Sequence, residues 1–474
     1  MTQNKDNKKF DIVIIGGGPG GYVAAIKAAM LGAKVAVVEK EFMGGICLNV
    51  GCIPTKALVR SAEIFENVKS ARSYGIKVKD FEIDMKKVIS RKNRIVRQLT
   101  MGTKQLVEGQ GAKIFEGTGY IIDKNTVRVT TEDDQFELET DKIIIATGAK
   151  PTTLNISVEE NNENIIFSRQ ALDIKDLPDS MVIVGGGVIG MEFAFIYSIF
   201  GVKVTVVEYQ DRILSILDED VTDELMRIAK RKRIEIITGA AVKEIKNNED
   251  SKCVVSYKKD DEDCKIEADK VLLSVGRNPF VEGLGLENID VEMNGNGRGI
   301  KVNERMETNV AGIYAVGDVT NIIQLAHVAS HQGIIAAENI MGNDMVMDYT
   351  AIPWAIFTEP EISVVGITEK QAKDEGKDIL IGKFPFSASG KALVEGSRDG
   401  FVKVIKDKES DRIIGATMIG PHASDLISEL TVAIQNGLTA EQISHTIHAH
   451  PTTAEAIHEA VLATSGKALH FIKN

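Results

Sequence analysis

Residues 11–39 read DIVIIGGGPGGYVAAIKAAMLGAKVAVVE, and residues 180–208 read SMVIVGGGVIGMEFAFIYSIFGVKVTVVE. Each copy runs from a short Val/Ile strand through a glycine turn into an apolar helix, then into a second β-branched strand ending on Glu. Strand, helix and strand with buried strands form a βαβ unit, whose crossover is right-handed almost without exception. Two such units in one chain imply two dinucleotide-binding folds. The Gly-x-Gly-x-x-Gly fingerprint falls on Gly16, Gly18 and Gly21 in the first, and on Gly185, Gly187 and Gly190 in the second. The first glycine permits a tight turn, the second lets backbone approach a pyrophosphate, and the third lets helix and strand pack closely. The helix that follows offers unpaired N–H groups and the positive end of its dipole.

One such fingerprint is weak, because glycines gather at any tight turn. Here each follows a strand, opens a helix, and precedes an acid 23 residues beyond its first glycine: Glu39 and Glu208. Those carboxylates are placed to accept hydrogen bonds from a ribose. At position 208 a carboxylate accepts from the 2′-hydroxyl of NAD and repels the 2′-phosphate of NADP, so the second site favours NAD. Arg212 is the nearest cation.

The chain has 474 residues, enough for about three domains of ordinary size. Hydrophobic residues make up 43% and charged residues 26%, so a sizeable core can be buried without metals or structural disulfides. A net charge of -12 argues against nucleic acid or an anionic membrane as main partner. At the N-terminus, basic residues precede an apolar run, but GGGPGG interrupts it, and no other stretch is apolar for long enough to span a bilayer. With only four cysteines, a soluble protein of the reducing cytoplasm is expected.

Two of those cysteines sit in GGICLNVGCIPTK, residues 44–56. A regular helix would hold Cys47 and Cys52 at least ~7.5 Å apart along its axis, whereas a disulfide needs ~4.4–6.8 Å between Cα atoms. The segment must therefore be distorted, and Gly51 and Pro54 permit this. A helix starting nearby would aim its N-terminal dipole at the sulfurs and lower a thiolate pKa. Two inert core cysteines, half of a zinc site and a purely structural disulfide are the competing readings. Flanking glycines, the lack of further metal ligands and the compartment favour a redox pair over all three. Cys253 and Cys264 flank KKDDED, read as a hairpin, and are expected to be structural.

The stretch Asp84–Glu108 reads as a surface helix, and Ala112–Ile145 as a small antiparallel meander. The Asn/Glu-rich patch at 159–164 reads as an exposed turn. After about residue 350, WAIFTEPEISVVG, FVKVIKD and RIIGATMIG read as strands, and ASDLISELTVAIQNG and TTAEAIHEAVLAT as helices, giving a third, α+β domain. HAHPTTAEAIHEA holds His448, His450 and His458. Pro451 keeps His450 out of helical geometry and permits a cis bond there; Glu455 in the next helix can reach back to its ring. Taken alone, one histidine among eight is more often a structural residue.

Together GGGPGG, GGICLNVGCIPTK, the ATG at 146–148, GGGVIG, SVGRNP, YAVGDV and HAHPTTAE resemble the flavoprotein disulfide reductases, over essentially the whole chain. The resemblance is strongest to the members that oxidise protein-bound dihydrolipoyl groups to lipoyl with NAD⁺. It implies an α/β fold with two Rossmann-like dinucleotide-binding domains and a C-terminal α+β dimerisation domain. The corresponding ranges are 1–150 for FAD, 151–279 for NAD, 280–350 completing the FAD region, and 351–474 at the interface. It also implies that Cys52 lies nearer the flavin, with Lys56 and Glu192 beside the reactive ring and Asp318 holding the ribityl chain. Gly276 of SVGRNP joins the cofactor-binding set. His450 becomes the acid–base catalyst, with Glu455 as its partner, contributed across a homodimer. The implied protein partners are lipoyl domains of 2-oxoacid dehydrogenase complexes or a lipoyl carrier protein. Reduction of another disulfide by NADH, or a flavin redox sensor without turnover, remain the alternatives.

Overall fold

The computed structural model describes residues 8–153, 156–159, 162–250, 252–295 and 297–472; of the 159–164 turn, Glu160 and Asn161 lie outside the described residues. The first βαβ unit is β1 (Lys9–Ile15), α1 (Pro19–Met30) and β2 (Val35–Glu39). Its strands pair in parallel, from Ile12 opposite Val35 to Ile15 opposite Val38. Both strands are buried on both faces from Ile12 to Ile15 and from Val35 to Val38, which is why they read as continuous β-branched runs. Three helices follow: α2 (Gly45–Val50), α3 (Cys52–Ser70) and α4 (Met85–Gly109). Asp84 caps α4, its side chain accepting from the Lys87 amide at 3.0 Å.

Beyond α4 come β3 (Lys113–Glu116), β4 (Thr118–Asp123), β5 (Thr126–Thr130) and β6 (Gln135–Ile145). The sheet order is β3-β2-β1-β6-β5-β4. The expected antiparallel meander is thus confined to β4–β6. Strand β3 instead runs parallel to β2, because it follows a helical crossover and not a hairpin. Ile313–Ala315 adds to the same sheet, parallel to β6.

The second unit repeats the plan. Ser180–Val184 pairs in parallel with Lys203–Val207 and Lys270–Leu273, and Val188–Phe200 is the crossover helix. Cys253–Lys259 and Glu262–Ala268 form a hairpin whose two turn residues, Asp260 and Asp261, have φ of 48° and 67°, the left-handed pair of a tight hairpin turn. The C-terminal part is a five-stranded antiparallel sheet. One of its strands, Ile379–Pro385, was not anticipated from sequence. Lys403 of this sheet is 1% exposed and reaches Asp218 at 2.8 Å and Asp220 at 2.7 Å, tying it to the second nucleotide-binding unit. Among the described residues no helix is long and apolar enough to cross a membrane.

Candidate active site

The helix carrying the cysteines is broken between them. Helix α2 ends at Val50, Gly51 takes φ -141° and ψ -111°, and α3 starts at Cys52. A Cβ on Gly51 would meet the Ile46 carbonyl oxygen at 2.9 Å, so the break calls for glycine. Pro54 falls in the first turn of α3, where its missing N–H costs nothing. The break folds Cys47 back onto Cys52, and the two side chains, both free thiols, share a hydrogen bond. That bond and the charge of Lys56 together pull the Cys52 pKa down to about 7, against desolvation and Glu192. Cys47 moves the opposite way, raised by the same hydrogen bond, by burial and by the charge of Cys52. Of the two, Cys52 holds the thiolate.

Lys56 lies one turn beyond Cys52 on α3. Its Nζ meets Glu192 Oε1 at 2.9 Å and Oε2 at 3.0 Å, and sits 4.2 Å from the Phe357 ring centroid. Glu192 is buried in the Val188–Phe200 helix, and its Oε1 also accepts from the Phe357 amide at 3.0 Å. One carboxylate therefore joins the first nucleotide unit, the second and the C-terminal sheet beside the cysteine pair.

The two glycine loops are built alike. Gly16 and Gly185 have φ of 108° and 107°. A Cβ at Gly21 would run into the Gly16 carbonyl, and one at Gly190 into that of Gly185. Gly18 and Gly187 occupy the N-cap positions of their helices with no side-chain cap, leaving the first amides available to an anion. A Cβ on Gly187 would meet nothing within 4 Å, and one on Gly18 only Gly45 at 3.9 Å. The space those absent side chains leave is what a pyrophosphate requires, so both loops fit a dinucleotide.

Glu39 and Glu208 each accept from the middle glycine of their own loop: Gly17 N at 2.6 Å and Gly186 N at 2.5 Å. Beside Glu208 lies a cavity of about 110 Å³, lined by Gly186, Gly187, Val188, Arg212 and Leu214 among others. The Arg212 guanidinium is held by Asp223 at 2.5 Å and Thr222 at 3.0 Å. Being already paired, it leaves Glu208 to set the charge of this pocket.

Asp318 follows the Ile313–Ala315 strand. Burial raises its pKa, and Arg277 partly offsets the shift. Arg277, next to Gly276, is itself lowered by burial, while Asp318 and Cys52 act in the opposite sense. It also donates to the Ala149 carbonyl oxygen. The charge of a half-buried guanidinium is thus felt by both the expected ribityl-binding acid and Cys52. Arg277 was missed as a site residue, although a charge inside SVGRNP at a strand end was available as a signal. Phe357 was missed too, and nothing in WAIFTEP singles it out.

His450 precedes a cis bond to Pro451, and its Nδ1 lies 2.9 Å from Glu455 Oε1. Glu455 opens the last helix, Glu455–Ala463, and its Oε2 accepts from Thr452 N at 2.9 Å. Burial would raise the Glu455 pKa, but Thr452 and His450 outweigh it and the carboxyl ends below its ordinary value. His450 is 80% exposed. His448 has its own acid, Glu429, at 2.9 Å. Among the described residues no hydrogen bond or ion pair connects His450 with Cys47 or Cys52 of the same chain.

Residues 10–333 match the pyridine nucleotide-disulphide oxidoreductase model, and residues 352–461 the dimerisation domain of the same family. The chain is 44% identical to dihydrolipoyl dehydrogenase of Bacillus subtilis, over 98% of this chain and 99% of that protein. It is 43% identical to the protein of that name from Geobacillus stearothermophilus, over 98% and 97%. Among solved structures it is similar to LpdA from Mycobacterium tuberculosis, with a TM-score of 0.89 and 28% identity over 95% of this chain and 99% of that one. The flavoprotein disulfide reductase RclA of Escherichia coli gives a TM-score of 0.85 and 28% identity, over 95% and 99%.

Proposed function

This chain belongs to the pyridine nucleotide-disulphide oxidoreductases, and from that premise we propose that it oxidises dihydrolipoyl groups to lipoyl while NAD⁺ becomes NADH. The observation that carries the reading is the pair of juxtaposed thiols at the break between α2 and α3, with Lys56 and Glu192 beside them, in a chain that carries two dinucleotide loops. FAD belongs to the first loop and NAD to the second. Gly16, Gly18 and Gly21 would hold the FAD pyrophosphate, and the bound cofactor would supply the two-electron chemistry that connects the cysteine pair with NAD⁺.

The protein's own groups supply the rest. Glu455 fixes the His450 ring through Nδ1 and leaves Nε2 to take a proton from a substrate thiol. The substrate thiolate attacks Sγ of Cys47 in the disulfide form, forming a mixed disulfide and releasing Cys52 as a thiolate. Lys56 and the N-terminus of α3 stabilise that thiolate. The second substrate thiol then displaces Cys47, closes the lipoyl ring and leaves both cysteines reduced. Gly276, Glu39 and Asp318 complete the cofactor-binding set.

The chain forms a homodimer through its C-terminal segment. In our reading, His450 of the partner subunit serves each cysteine pair, which accounts for its exposure within one chain. Lipoyl domains of 2-oxoacid dehydrogenase complexes, or a lipoyl carrier protein, deliver the substrate, and a reducing cytoplasm suits a chain with so few cysteines. Two assays test this: NAD⁺ reduction by dihydrolipoamide, and NADH oxidation by glutathione disulfide. Turnover in the first and little in the second is expected; the reverse would assign another disulfide, and neither would assign a sensor.

A further inference from the structure

Helix α4 is strongly cationic in a chain that is otherwise acidic. Across Met85–Gly109 it carries seven Lys or Arg and one Glu, whereas the whole chain has 68 acidic and 56 basic residues. Some of these cations serve the fold. Lys92 is buried on Asp173, Lys104 pairs with Glu116 at 2.8 Å, and Arg91 donates to the Ala57 carbonyl at 3.3 Å. Arg94 and Arg97 are different: both are exposed and neither forms an ion pair among the described residues. With Gln98, Met101, Gly102 and Gln105 they line a concave surface of about 530 Å³. Steps of three and four residues place these side chains on one helical face, and Met101 in its middle is 56% exposed.

Elsewhere α4 packs against α2 and α3. Thr100 Oγ1 donates to Asn49 Oδ1 at 2.7 Å, two residues from Cys47. A partner seated on the Arg94–Gln105 face would therefore be separated from the cysteine helix by about one helix diameter, ~10–12 Å. A flexible substrate-bearing arm can cross that gap. Arginine forks match carboxylates in two-point contacts. The net charge of -12 opposes a polyphosphate or an anionic bilayer, whose footprints extend well beyond one helix. A small domain with a compact acidic patch avoids that repulsion.

We propose that the Arg94–Arg97 face of α4 docks an acidic protein domain bearing the dihydrolipoyl group, an inference that rests on the function assigned above. The test compares the holoenzyme with R94E/R97E on three substrates: free dihydrolipoamide, a reduced lipoylated carrier domain with an acidic surface, and that domain with its surface carboxylates replaced by amides. At low salt the double variant is expected to lose about tenfold or more in kcat/KM for the acidic domain, the scale of electrostatic steering. The loss should vanish near 1 M salt, where screening acts within ~3 Å. Free dihydrolipoamide should be oxidised at the unmodified rate, and the amidated domain should not distinguish the two proteins. An unchanged kcat/KM for the acidic domain, or an equal loss on free dihydrolipoamide, overturns the docking face. If the unmodified protein fails to oxidise free dihydrolipoamide, the functional assignment falls and the docking inference falls with it.

Discussion

Replacing Lys56 with Met removes a positive charge one helical turn from Cys52, about 6 Å away. At an effective dielectric constant of ~20, a unit charge at ~6 Å contributes ~2.8 kcal/mol, which is ~2 pH units of thiol pKa. Glu192, 2.9 Å from the ammonium, cancels part of this, and the partial exposure of Lys56 screens more. About 1 unit should remain. Cys52, held at about 7, would then titrate near ~8, and its thiolate fraction at neutral pH would fall from about half to about a tenth. Glu192→Gln has the opposite sign, because the carboxylate is one of the groups raising Cys52. Glutamine still offers an oxygen to the Phe357 amide and to Lys56. Both variants should be followed in the two-electron-reduced holoenzyme, by the pH dependence of the thiolate–flavin long-wavelength absorbance and by site-resolved alkylation of Cys52 with iodoacetamide. Shifts of the same sign in the two variants, or a K56M titration that stays near neutrality, would refute this electrostatic account.

His450→Gln should lower turnover with dihydrolipoamide by at least ~100-fold, the usual scale of acid–base catalysis; near-normal rates would remove the ring from the mechanism. Glu208→Ala should raise the KM for NAD⁺ about ten- to a hundredfold with little change in kcat, the worth of one hydrogen bond to a charged group. An unchanged KM would mean that this carboxylate, tied to Gly186, never engages the ribose. Lys403→Met leaves Asp218 and Asp220 without their shared cation in a buried site, and should cost about 3–5 kcal/mol in denaturant unfolding. A loss near zero would show that water replaces the ammonium there.

The two nucleotide folds are legible because each is assembled from neighbours in sequence. Strand, loop, helix and strand follow within 29 residues in DIVIIGGGPGGYVAAIKAAMLGAKVAVVE, and the glycine spacing encodes a local backbone path. The fracture between Cys47 and Cys52 is local too, since five residues of helix geometry already conflict with a sulfur bridge. By contrast, β3 was misassigned to the meander because a four-residue strand carries no mark of its direction; only the preceding crossover decides that. Likewise Ile313–Ala315 is too short to announce that it returns to the first sheet.

The groups around the thiols were harder to find for a related reason. Lys56 and Glu192 are 136 positions apart, Glu192 and Phe357 165, and Arg277 and Ala149 128. No periodicity or propensity reports on such separations, and only the resemblance to a family nominated Lys56 and Glu192. Phe357 and Arg277 had no such nomination, yet Phe357 contacts both members of that pair and the Arg277 charge acts on Cys52. Phe357 holds both ends of the Lys56–Glu192 pair, one through its ring and the other through its amide. Any movement of the C-terminal sheet against the nucleotide units must therefore disturb the field at Cys52. That makes the buried Lys403 clamp relevant to chemistry as well as to stability: loosening it should shift the Cys52 titration even though Lys403 makes no contact with either cysteine.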